Sequence, residues 1–111
     1  MIKFYTNEEI ITIYRKLIDF YGKNIELPIK FLYYLQRNVV EIESIYKSIM
    51  NTLRGLEAKY AENPEDEKYR EELVECLNIQ NDIHIKTCKI EELGDVILSW
   101  QDLQAIDFMI E

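Results

Sequence analysis

The sequence predicts a mainly α fold with a small β element (α+β), built on one long coiled-coil-like helix and an antiparallel return helix. Three observations carry this. No proline interrupts the chain between Pro28 and Pro64. Inside that stretch Leu32, Leu35, Val39, Ile42, Tyr46, Ile49, Leu53, Leu56 and Tyr60 are separated by alternating steps of 3 and 4 residues, an unbroken heptad seam. Further on, Ile83-His84-Ile85-Lys86-Thr87-Cys88-Lys89-Ile90 turns β-branched and roughly alternating, the pattern of a strand.

The elements follow in order. Met1 to Tyr5 reads as a short edge strand. Thr6 and Glu9 stand at capping-box spacing, and Ile10, Ile13, Tyr14, Leu17, Ile18 and Tyr21 follow at helical intervals. This gives a first helix over 7–21, ended by Gly22. Pro28 suits the first position of the second helix, where its missing amide costs nothing. Run to Ala61, that helix would be roughly 50 Å long at ~1.5 Å per residue. Such a length implies that part of it projects or packs against another chain. Gly55 in its interior signals a close crossing or a bend. Asn63-Pro64 makes a turn, since a residue before proline avoids the helical region. A third helix with Tyr69, Leu73, Cys76 and Gln80 on one seam then folds back. After the strand over 83–90, Val96 to Leu98 reads as another short strand, and Ser99 with Asp102 caps a last amphipathic helix.

The 111 residues make one domain, 1–111, with one core. An apolar content of 48% with only 3 Gly and 2 Pro excludes a disordered tail and a collagen-like repeat. No apolar run approaches the ~20 residues of a membrane span, and the start lacks the pattern of a signal peptide. A cytoplasmic protein without membrane partners is expected. Cys76 and Cys88 are expected to be reduced and buried.

Charge is unevenly placed. Residues 1–55 hold 8 basic against 6 acidic side chains, whereas residues 56–111 hold 5 against 15. The net charge of -8 makes duplex nucleic acid an unlikely partner, because phosphates are repelled. The acidic half could instead meet a basic protein surface. The ordinary reading is a solvated face, with the early carboxylates of the third helix favoured by its dipole.

Chemistry-bearing patterns are few. Two cysteines and His84 fall short of the four ligands of a structural zinc site. No nucleophile–base motif and no glycine-rich phosphate loop occurs, so the chain is expected to be neither an enzyme nor a cofactor binder. The one constellation with binding potential opens the long helix: Lys30, Tyr33, Tyr34, Arg37 and Asn38, joined by Arg15 if the first helix packs there. The pairs 30/34, 33/37 and 34/38 lie one above the other on a helix. Rings that stack on a base beside a guanidinium that holds phosphate would suit a small nucleotide. The competing reading is tyrosines snorkelling from the core beside solvated basic groups.

With these segments placed, the chain resembles small proteins of unknown function encoded by tailed phages and prophages of Gram-positive bacteria. The residues that carry the likeness are Asn7-Glu8-Glu9-Ile10-Ile11, Leu27-Pro28-Ile29-Lys30, Leu98-Ser99 and the C-terminal run from Leu103 to Glu111. The resemblance implies a small protein working in the host cytoplasm by binding a host component, and it supplies no catalytic residue. Three functions compete on these grounds: sequestration of a small signalling nucleotide in anti-defence, acidic inhibition of a host nucleic-acid-binding protein, and a structural role in the virion. The seam adds the expectation of a homo-oligomer, most simply a dimer.

Overall fold

The structure, a computed structural model, describes all residues from Met1 to Glu111. It is mainly α with a small β element: β1 (Ile2–Thr6), α1 (Asn7–Gly22), α2 (Ile29–Lys59), α3 (Glu67–Leu77), β2 (Gln80–His84) and α4 (Trp100–Ile106), with 3-10 turns at Ile90–Leu93 and Asp107–Met109. No helix is long and apolar enough to cross a membrane.

Local chemistry sets the helix starts. Thr6 Oγ1 accepts from the Glu9 amide at 3.2 Å, and Glu9 accepts from the Thr6 amide at 3.0 Å. Ser99 and Asp102 repeat the arrangement at the start of α4, with both bonds at 3.1 Å. Pro28 lies one place outside the position expected for it: it caps α2 with an extended ψ of 143°. Its carbonyl accepts the first helical bond, from Leu32, at 2.9 Å. Gly55 lies within an uninterrupted α2 and has no close neighbour, since a Cβ there would meet nothing within 4 Å.

The seam of α2 is covered from within the chain. Leu35, Ile42 and Ile49 are buried, and the intervening seam residues are half-buried. Two antiparallel helices share the work. Against the first half of α2 lies α1, with Tyr14 stacked on Tyr46 at 4.1 Å and Gln36 donating to Tyr21 Oη at 3.1 Å. Against the distal half lies α3, with Tyr69 stacked on Tyr60 at 5.1 Å. Glu72 accepts from both Tyr60 Oη and Lys59 Nζ at 3.1 Å. The two helices meet end to end, where Asn7 donates its backbone amide to the Ile79 carbonyl at 2.9 Å and its side-chain amide to the Cys76 carbonyl at 2.7 Å. At ~1.5 Å per residue α1 and α3 together span roughly 40 Å of the roughly 46 Å of α2. The seam was expected to leave part of the long helix for another chain; instead it is occupied inside this one, and the molecule is elongated, 54 × 26 × 20 Å.

The sheet is antiparallel, with Ile2 opposite His84 and Thr6 opposite Gln80. Its second strand lies at 80–84 rather than 83–90. The reason is the α1–α3 junction: the ladder starts where Ile79 meets Asn7 and ends where Ile85 meets Met1. Beyond it the chain leaves the sheet, although Ile85 remains buried and continues the alternation from Ile83. Cys88 makes only an isolated parallel bridge to Ile110. The segment 96–98 forms no strand.

The sheet and the segment after it cover one face of the α1–α2 pair. Ile10, Leu17 and Phe20 of α1 and Phe31, Leu35 and Ile42 of α2 form the core with Ile83, Ile85, Ile106 and Met109. The opposite face of the pair has no covering layer.

Candidate functional site

The structure brings Lys30, Tyr33 and Tyr34 together and leaves them on an open surface. Lys30 Nζ lies 2.7 Å from Glu92 and 5.6 Å from the centre of the Tyr34 ring. Hydrogen bonds from Lys30 and from the Lys89 amide hold the Glu92 carboxyl below the usual carboxylate range. The same bond to Glu92 raises the Lys30 ammonium. The Tyr33 and Tyr34 rings are tilted at 50° with centres 6.3 Å apart, so they form no parallel slot for a base. Tyr33 is exposed and Tyr34 half-buried. Arg37, one turn on, is exposed and makes no ion pair. The notch beside Tyr21, the groove between α1 and α4 and the cavity beside β1 are all lined by other residues.

Asn38 and Arg15 stand apart from this group. Asn38 is buried, donating to the Lys86 carbonyl at 2.9 Å and accepting from the Lys86 amide at 2.8 Å. Its amide is spent on joining α2 to the chain after β2, so it belongs to the packing. Arg15 is exposed one residue after Tyr14, which faces Tyr46. That level on α2 is on the order of 10 Å from Arg37 along the helix.

A wider feature surrounds Tyr33. On the uncovered face of the α1–α2 pair, Ile18, Tyr21, Ile29, Tyr33 and Val40 are all exposed, Ile29 by 81% and Val40 by 66%. The contacts Tyr14–Tyr46 and Tyr21–Gln36 set Ile18 of α1 level with Val40 of α2. A notch of about 260 Å³ adjoins Tyr21, with apolar walls from Phe20, Ile25, Leu27, Leu32 and Leu35 and polar ones from Asn24 and Gln36. The sequence does carry a signal for this face. Ile29, Tyr33 and Val40 repeat at 4 and 7 residues, a second apolar stripe out of phase with the seam. The heptad seam overshadows it.

The remaining reactive groups have local roles or stand alone. Burial and the nearby Glu92 push the Cys88 thiol up, away from the reactive thiolate. Cys76 is buried, and its sulfur lies 3.9 Å from the Asn7 side-chain nitrogen. His84 is exposed on β2 opposite Ile2. No three His, Cys, Asp or Glu side chains converge as metal ligands. In the acidic half, Asp66 caps α3 by accepting from the Lys68 amide at 2.9 Å, and Glu72 pairs with Lys59, while Glu67, Glu71 and Glu75 are exposed. A polar groove between α1 and α4 is crossed by Lys23 and Asp102, 2.6 Å apart, which neutralise each other. Comparison with known proteins yields no match to any protein family, curated protein or solved structure.

Proposed function

We propose that the protein is a non-enzymatic binding module that works by covering a surface of another protein, with the open α1–α2 face as its contact surface. The observation that carries this reading is the five apolar side chains exposed on the α1–α2 pair, with a notch beside one of them, Tyr21. Monomeric proteins rarely leave such a patch bare, and tyrosine, isoleucine and arginine together have the composition of an interface centre. The patch lies in the half of the chain whose charge is slightly positive, with Arg37 beside Tyr33 free of any ion pair. Its partner therefore presents an apolar surface with an acidic rim. On the phage-like resemblance that partner is a host component in the cytoplasm, and the effect is to block it.

Nucleotide sequestration by Lys30, Tyr33, Tyr34 and Arg37 is the second reading, and it requires a second subunit to close over the open rings. One experiment separates the two. A photo-crosslinking residue is placed at Val40 and, as control, at Ala61, and the protein is expressed in a host cell. Cross-links to one host protein from Val40 alone, lost on Ile29→Asp, are the expected result. Release of a specific nucleotide from the denatured protein, lost on Arg37→Ala, with no protein cross-link, would replace the reading by sequestration.

A further inference from the structure

The two edges of the β1–β2 sheet are unlike. Met1 and Ile85 exchange backbone bonds at 3.0 and 2.8 Å, and Asn7 bonds Ile79, so the residues of β1 bonded to β2 are Lys3 and Tyr5. The amides and carbonyls of Ile2 and Phe4 therefore point away from β2, and nothing in the chain pairs with them. Their side chains are exposed by 61% and 67%. The edge of β2 carries exposed Gln80, Asp82 and His84, polar groups of the kind that discourage further pairing. On the same outer face β1 carries apolar Ile2 and Phe4, and its one charge, Lys3, points inward.

A cavity of about 300 Å³ adjoins β1, with Lys3, Tyr5, Thr12, Lys16, Gln104 and Asp107 among its walls. Ile83 and Ile85 are buried, and the strand residues that line the cavity are Lys3 and Tyr5 of β1 alone. Lys3 donates to the Phe108 carbonyl, and neither Lys3 nor Lys16 forms an ion pair. Two ammonium groups thus face one carboxylate, Asp107, in a protein whose net charge is -8.

We infer that β1 accepts an extended segment of a partner protein as a third strand of the sheet, with the pattern apolar–acidic–apolar. Two strand residues of the partner pair with the free backbone groups of Ile2 and Phe4, and their side chains lie on the outer face beside those two. The residue between them faces inward, opposite Lys3, where the cavity and Lys16 favour a carboxylate. Backbone bonds supply the attachment and the alternate side chains the selectivity. A second copy of this chain fits less well. Self-pairing that uses all the free groups sets Lys3 directly opposite its counterpart.

The test uses short blocked peptides of alternating Val and Glu, the same with Lys for Glu, and a Val/Glu version N-methylated on the amides that would face β1. Binding is followed by the amide resonances of Ile2 and Phe4. The Val/Glu peptide is expected to shift both, the Lys version to bind at least about tenfold more weakly, and N-methylation to abolish binding. Lys16→Glu, on the protein surface, reverses the preference between Glu and Lys peptides. Phe4→Lys guards the edge and weakens binding. Because that variant alters the sheet, the peptide series and Lys16→Glu decide the matter if it does not fold. Failure of the Val/Glu peptide to bind, equal binding of Glu and Lys peptides, indifference to N-methylation, or a dimer in sedimentation that Phe4→Lys dissolves would each overturn the inference.

Discussion

Asn38 and Asp102 show two side chains holding distant parts of the chain in place. Asn38 answers both backbone groups of Lys86, 48 residues away, from inside the core. Asn38→Leu keeps the branched skeleton and strands those groups, which should cost about 1–3 kcal/mol in urea unfolding. Asp102 bonds Lys23 at 2.6 Å, which, with the Ser99 amide, holds its carboxyl below the usual value of 3.8. The folded value lies below the unfolded one, so the stabilisation is present above 3.8 and is lost as pH falls through the folded value. Acid should therefore loosen α4 from α1. Trp100, the single tryptophan, sits two residues from Asp102 and should report a fluorescence change below about pH 4 that Asp102→Asn shows at neutral pH. The capping boxes at Thr6 and Ser99 were legible in the sequence because their partners are three residues away. The bond of Asn38 was not, because nothing local marks which carbonyl a buried amide will meet. The same lack of a local mark put Asn38 among the ligand-binding candidates.

Among the elements, α2 was the most legible, and its glycine is the simplest to improve. Gly55 lies mid-helix with open space where a side chain would go. Gly55→Ala should stabilise the protein by about 1 kcal/mol, seen as a higher midpoint in thermal unfolding. The seam residues Leu35, Ile42 and Ile49 are buried as their spacing demands. That spacing specifies that a helix will pack on them, and carries no information on whose helix it is. Here α1 and α3 supply it in two pieces. The second strand was placed too late for a related reason. Alternation at Ile83 and Ile85 reports burial, whereas the pairing itself is set by where β1 ends.

For the molecule as a whole, the sheet and C-terminal segment cover one face of the helical layer and the other is bare. This division makes the two faces respond differently to substitution. Ile42→Ala in the core should cost about 2–5 kcal/mol, whereas Val40→Asp on the open face should change stability by no more than about 0.5 kcal/mol. Equilibrium denaturation of the two variants checks this. A large loss from Val40→Asp would mean that the open face is part of the folded core and unsuited to a partner. The bare face was half legible: the cluster beginning at Lys30 marked its turns of α2, but the contribution of Ile18 and Tyr21 depends on how α1 docks.

Laying α3 and α1 end to end on one helix also sets an order of assembly. The α2–α3 contact closes a short stretch of chain, with Tyr60 and Glu72 only 12 residues apart, while the β1–β2 contact joins Met1 and Ile85 across 84. Closing the longer loop costs more chain entropy before any contact repays it. The α2–α3 hairpin, like the α1–α2 hairpin with Tyr21 and Gln36 only 15 residues apart, should therefore be formed in the rate-limiting step, and β1 should pair with β2 last. In stopped-flow experiments Leu73→Ala should act mainly by slowing folding, and Ile83→Val mainly by speeding unfolding. The two helical hairpins are then the nucleus of the fold, and the β1 edge is the last part of the surface to take shape.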